Sequence, residues 1–115
     1  MDEVRAGLRA AYCTKNELAF PVSGTGTAGM ETVLVNLLEP GDALLVGVAG
    51  YFGARLAEIG RRVGARVTEV SGEWGRALTS DDYRRAAGGK RFRVLAAVHG
   101  ETSTGVVTDV RALRA

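Results

Sequence analysis

A three-layer α/β fold with a mainly parallel sheet is predicted for this chain of 115 residues, and three observations predict it. Short apolar runs of strand type alternate with stretches of helical period, which implies right-handed crossovers with helices on both faces of the sheet. Glycine is abundant at 16 residues, about twice its usual share, which marks many tight turns. The composition, 46% hydrophobic and 24% charged, is that of one soluble globular domain with a core.

The elements follow in order. Residues 2 to 14 read as a helix, because Val4, Leu8, Ala11 and Tyr12 share one face and Asp2 and Glu3 stand in the first turn. Cys13 lies near that face and reads as a small buried hydrophobe or, alternatively, as a functional thiol. Leu18 to Val22 is a short extended piece, made irregular or edge-like by Pro21. Met30, Val33, Leu34, Leu37 and Leu38 then repeat at helical spacing until Glu39-Pro40-Gly41-Asp42 stops them. Ala43 to Val48 is a buried-type strand. Residues 51 to 63 form a helix with Phe52, Leu56, Ile59 and Val63 on one stripe and Glu58 placed to pair with Arg62.

Gly64 ends that helix and Arg66 to Val70 is the next strand. A loop from Ser71 to Leu78 carries Trp74, read as a packing residue, and Thr79 is an N-cap for a helix through Tyr83 to Ala87. Gly88-Gly89 closes it. Arg93 to Val98 is the third strand; it feeds the polar loop His99 to Gly105, after which Asp109, Val110 and Leu113 begin a helix. Ligands of such sheets sit at the carboxyl ends of strands, where the loops after Val48 and Val98 both fall.

The balance of charge excludes some partners. A net charge of +2, from 15 basic and 13 acidic residues interspersed along the chain, offers no basic block for nucleic acid. No apolar run approaches the roughly 20 residues of a membrane span, and the start Met-Asp-Glu-Val-Arg lacks the layout of a secretory signal. A lone cysteine excludes an internal disulfide and suits a reducing cytoplasm.

The stretch Ser23-Gly24-Thr25-Gly26-Thr27-Ala28-Gly29 is built to hold an anion. Its glycines permit positive φ and close approach, Thr25 and Thr27 add hydroxyl donors, and the free N–H groups and dipole of the helix start favour a phosphate. Gly24 to Gly29 fits the dinucleotide fingerprint Gly-x-Gly-x-x-Gly, but Pro21 disturbs the strand that should precede it. The next strand, ending Val46-Gly47-Val48-Ala49, brings no carboxylate for a ribose, and Asp42 precedes that strand instead of ending it.

Three separated segments carry a different reading: Ser23 to Glu31, Leu38-Glu39-Pro40-Gly41-Asp42 followed by Gly50-Tyr51-Phe52-Gly53, and His99-Gly100-Glu101-Thr102-Ser103-Thr104-Gly105. In order and spacing, over nearly the whole chain, they resemble the class V pyridoxal-phosphate aminotransferases, above all the alanine-glyoxylate and serine-pyruvate group. The resemblance implies fold type I, a homodimer, and amino transfer from a small amino acid such as alanine or serine to a 2-oxo acid such as glyoxylate or pyruvate. It places Thr25, Gly26 and Thr27 at the cofactor phosphate, Phe52 on the ring face, and Thr102 beside the phenolic oxygen. An aromatic lid and a hydroxyl donor suit those roles chemically.

Other readings stay open. Phe52 also fits a core stripe and Thr102 also fits a turn cap. His99 reads as a neutral hydrogen-bonded residue more readily than as a catalyst. The whole chain could serve as a non-catalytic phosphate-binding module. The resemblance further implies that the Schiff-base lysine and the pyridinium aspartate lie beyond Ala115, since neither Lys15 nor Lys90 matches the lysine position, and that the arginine for the substrate carboxylate lies outside this chain. Met1 would then be internal, and residues 1–115 part of the large, cofactor-binding domain, with an N-terminal segment and a small C-terminal domain outside it.

Overall fold

In the computed structural model, which describes residues 1–114, the elements run α1 (Asp2–Ala11), α2 (Gly26–Leu37), β1 (Ala43–Val48), α3 (Tyr51–Arg62), β2 (Arg66–Ser71), α4 (Ser80–Ala87), β3 (Val94–Ala96), β4 (Gly100–Glu101) and β5 (Val106–Val107), with a 3₁₀ turn at Ala112–Arg114. β1 is the organising strand. It lies between β2 and β3 and pairs with both in parallel, Leu44 opposite Val67 on one side and Val94 on the other.

The pleat of β1 divides the core into two layers. Leu44, Val46 and Val48 face α2 and α3, where they meet Leu34, Leu38, Leu56, Ala57 and Ile59. Leu45 and Ala49 face the opposite side, with Val70, Leu78, Tyr83 of α4 and Val106 of β5. Both faces of a central parallel strand are therefore covered, which is why its sequence is apolar without alternation. Each of the fully buried leucines, Leu34 and Leu44, contributes about 2 kcal/mol. Burial in the second layer pushes the Tyr83 phenol up to about 12.

Local chemistry sets most boundaries. Thr79 caps α4 and Asp82 returns the bond to the Thr79 N–H at 2.9 Å, a complete capping box, while Gly88 closes the helix in the left-handed conformation at φ 54°. On α3, Glu58 pairs with Arg62 as its spacing predicts and also with Arg55.

Several expectations are corrected. α1 ends at Ala11, short of Cys13, and none of its residues is buried; Tyr12 and Val4 stay exposed because no described element covers their face. Cys13 is accordingly an exposed free thiol, in a turn with φ 49°. Leu18 to Val22 pairs with nothing and forms no strand. Trp74 is 61% exposed, and Leu78 is the loop residue that enters the core. The third strand shortens to Val94–Ala96, and the expected ligand loop is instead a small antiparallel hairpin, β4 with β5. No helix is long and apolar enough to cross a membrane among the described residues.

Candidate functional site

On the sheet face covered by α2 and α3, both helices begin at the carboxyl edge. α3 starts at Tyr51, immediately after β1 ends at Val48, so its N-terminus stands over that edge. α2 runs the opposite way to β1, into which it feeds through Glu39 to Asp42, and it packs on the same face as α3. Met30 near the start of α2 and Phe52 in the first turn of α3 consequently line one hollow of about 420 Å³, with Val33 and Val98.

The start of α2 is open. Thr25 is its N-cap in extended conformation; its Oγ1 accepts the Ala28 N–H at 3.3 Å and its carbonyl accepts the Gly29 N–H at 3.2 Å. Among the described residues the N–H groups of Gly26 and Thr27 have no acceptor, and no acidic side chain stands in the first turn. The positive end of the helix dipole is thus uncompensated. Positive φ occurs only at Gly24 of the three glycines; Gly26 and Gly29 are helical, and a Cβ added at either would meet nothing within 4 Å. Packing inside the chain does not demand those glycines. Free N–H groups at a helix start suit an anion such as phosphate.

The start of α3 is closed by Glu101, which is 1% exposed. Its carboxylate accepts the N–H of Phe52 and of Gly53, each at 3.1 Å through Oε2, and the hydroxyl of Ser103 at 2.6 Å through Oε1. Ser103 Oγ in turn accepts the Tyr51 N–H at 2.9 Å. Burial raises the Glu101 carboxyl, but the Ser103 hydroxyl and the N–H groups of Gly53, Phe52 and Ser103 outweigh it and hold the group below its ordinary value. Gly50 makes this approach feasible, since a Cβ there would lie 2.5 Å from Glu101 Cγ.

The sequence contains a signal for this clasp. A helix that starts Gly50-Tyr51-Phe52-Gly53 has no Ser, Thr, Asp or Asn at its cap and no acid in its first turn, so an acceptor must come from elsewhere. Thr102 sits between the two clasp residues, exposed, with no hydrogen bond of its own among the described residues. His99 Nδ1–H donates to the Thr108 carbonyl at 3.0 Å, and Thr108 N–H returns a bond to the His99 carbonyl at 2.8 Å, so His99 fastens the base of the hairpin.

The structure therefore places Phe52 in the first turn of α3 and Thr102 between the two residues that bond that turn, and sets Thr25, Gly26 and Thr27 at the start of α2. Phe52 is half-buried, edge-on to Tyr51 with ring centroids 5.4 Å apart, and it lines the hollow without joining either buried cluster. Lys15 follows α1, and Lys90 precedes β3 at the amino end of the sheet; both are exposed.

Two helix starts on one face of the carboxyl edge of a parallel sheet, one of them with free N–H groups, make this an α/β unit with an open helix start. The chain matches the Aminotransferase class-V family over residues 1–115 and belongs to that family. It is 44% identical over 107 residues to the alanine–glyoxylate aminotransferase of Oryctolagus cuniculus, covering 93% of this chain and 27% of that protein. It is 40% identical over 113 residues to the (S)-ureidoglycine–glyoxylate transaminase of Bacillus subtilis, covering 98% of this chain and 27% of the relative. The crystal structure of an alanine–glyoxylate aminotransferase from Nostoc superposes with a TM-score of 0.91 at 46% identity, over 96% of this chain and 29% of that one. The chain thus spans about 27% of the length of the curated relatives it matches.

Among the described residues no strand precedes the glycine turn, so the dinucleotide fingerprint lacks its first strand.

Proposed function

We propose that residues 1–115 are part of the large domain of a pyridoxal-phosphate-dependent aminotransferase. It moves an amino group from a small amino acid, alanine or serine, to a 2-oxo acid such as glyoxylate or pyruvate. The single observation that carries this reading is the open start of α2, in a chain of the class V family whose relatives bear glyoxylate transaminase names.

The residues present fit the cofactor. Gly26 and Thr27 offer N–H donors, Thr25 and Thr27 offer hydroxyls, and the helix dipole supplies the charge complement for a dianionic phosphate. Phe52, half-buried and lining the hollow, would offer its ring to a flat heterocycle, and Thr102 an exposed hydroxyl to its phenolic oxygen. Bound there, the cofactor supplies the electron sink that amino transfer requires. The lysine that tethers the cofactor, the aspartate for its ring nitrogen and the arginine for the substrate carboxylate belong to residues outside this chain. The working protein is a cytoplasmic homodimer, without nucleic-acid or membrane partners.

The test is an assay of the full-length protein, supplied with pyridoxal phosphate, for pyruvate formed from alanine and glyoxylate. Turnover that depends on added cofactor is the expected result. Phosphate-dependent thermal stabilisation with no response to pyridoxal phosphate and no amino transfer would instead indicate a non-catalytic anion-binding module. A chain of residues 1–115 mixed with pyridoxal phosphate is expected to give no borohydride-trapped adduct at Lys15 or Lys90.

A further inference from the structure

The starts of α2 and α3, on one face of the sheet edge, are in opposite states. At α2, the N–H groups of Gly26 and Thr27 point to no acceptor among the described residues. At α3, every N–H of the first turn is already held: Tyr51 by Ser103 Oγ, Phe52 and Gly53 by the Glu101 carboxylate, and Ala54 by the Gly50 carbonyl. The group filling α3 is an internal carboxylate, 1% exposed, delivered by the β4–β5 hairpin.

We propose that Glu101 is a positioning residue: it closes the N-terminus of α3 to the cofactor's phosphate, so that of these two helix starts α2 alone is left as the seat, and it holds Thr102 beside Phe52. This rests on the pyridoxal-phosphate reading given above. Two neighbouring uncompensated helix starts would each attract a dianion. A phosphate on α3 would bind the N–H of the very residue whose ring faces the cofactor, and the ring could not then lie on Phe52. The carboxylate removes that competing seat twice over, by occupying its donors and by repelling a second anion. Because Ser103 bonds both Tyr51 and Glu101, the same clasp fixes the intervening Thr102 against the first turn of α3.

Hydrogen–deuterium exchange of the full-length apoprotein, with and without inorganic phosphate, tests this. In the wild type, phosphate is expected to slow exchange in segment 24–30 and to leave segment 51–54 unchanged, its amides being held already. In Glu101→Ala, phosphate is expected to slow segment 51–54 as well, and equilibrium dialysis should show phosphate bound rising by about one equivalent per chain. Unchanged phosphate stoichiometry in a folded Glu101→Ala protein would overturn the proposal. So would phosphate protection of segment 51–54 in the wild type, a result that needs no variant. A wild type that shows the expected phosphate pattern but binds no pyridoxal phosphate would sink the cofactor reading alone.

Discussion

The carboxylate of Glu101 accepts the N–H of Gly53, a residue 48 positions earlier in the chain, at 3.1 Å. This bond and its companions join the hairpin after β3 to the helix after β1, two elements that local sequence does not connect. Glu101→Gln keeps the size of the side chain and removes its charge, and it should cost about 2 kcal/mol at neutral pH, as for a charged hydrogen-bond acceptor. The pH dependence follows from the direction of the shift. The folded Glu101 carboxyl titrates below its ordinary 4.5, so its contribution is complete above that value and is lost as pH falls through the folded pKa. Denaturant titrations should therefore show the gap between wild type and Glu101→Gln closing below about pH 4.5. A gap that is constant with pH would contradict the charge assignment.

Gly50 adopts an extended conformation open to any residue, and its constraint is steric. Gly50→Ala would place a Cβ 2.5 Å from Glu101 Cγ and 2.6 Å from Ser103 Oγ. The clasp must then shift, at a cost of roughly 1–3 kcal/mol. Thermal unfolding of the full-length protein should show the loss, and Glu101→Gln/Gly50→Ala together should cost less than the sum of the two, because both act on one contact.

Phe52 separates a stacking role from a core role. If its ring faces the cofactor, Phe52→Leu should weaken pyridoxal phosphate binding about 3- to 10-fold with little change in stability, while Phe52→Trp should bind at least as well. Fluorescence titration of cofactor into each variant measures this. A Phe52→Leu protein with wild-type affinity and a large loss of stability would assign Phe52 to packing.

The capping box on α4 gives a control remote from the site. Thr79→Ala removes the acceptor of the Asp82 N–H and one partner of the Asp82 carboxylate, and should cost about 1 kcal/mol of stability without changing cofactor affinity.

What the sequence made legible is what nearby residues decide. The apolar run Ala43–Val48, the stripe on α3 and the Thr79 cap each announce themselves within one element, and each is where the pattern puts it. The burial expected of α1 failed because periodicity shows only that a face is apolar, and nothing described here covers Val4 or Tyr12. Trp74 and Leu78 share one loop, and hydrophobicity alone could not tell which enters the core. The β4–β5 ladder pairs only Gly100 with Val107 and Glu101 with Val106, too short for any period to register. Glu101 was legible as a polar residue in a ligand loop and no further, since its partners lie 48 and 49 positions away. The helix start at Thr25 to Thr27 is where the sequence pattern puts it, although positive φ at Gly26 and Gly29 is not needed to make it.

The most direct measurement is a crystal structure of the full-length protein with pyridoxal phosphate. The phosphate should lie within hydrogen-bond distance of the N–H groups of Gly26 and Thr27, the ring on the face of Phe52, and the Glu101 carboxylate should remain on α3. A phosphate bound anywhere other than the start of α2, or a ring out of contact with Phe52, would contradict the site described for this chain.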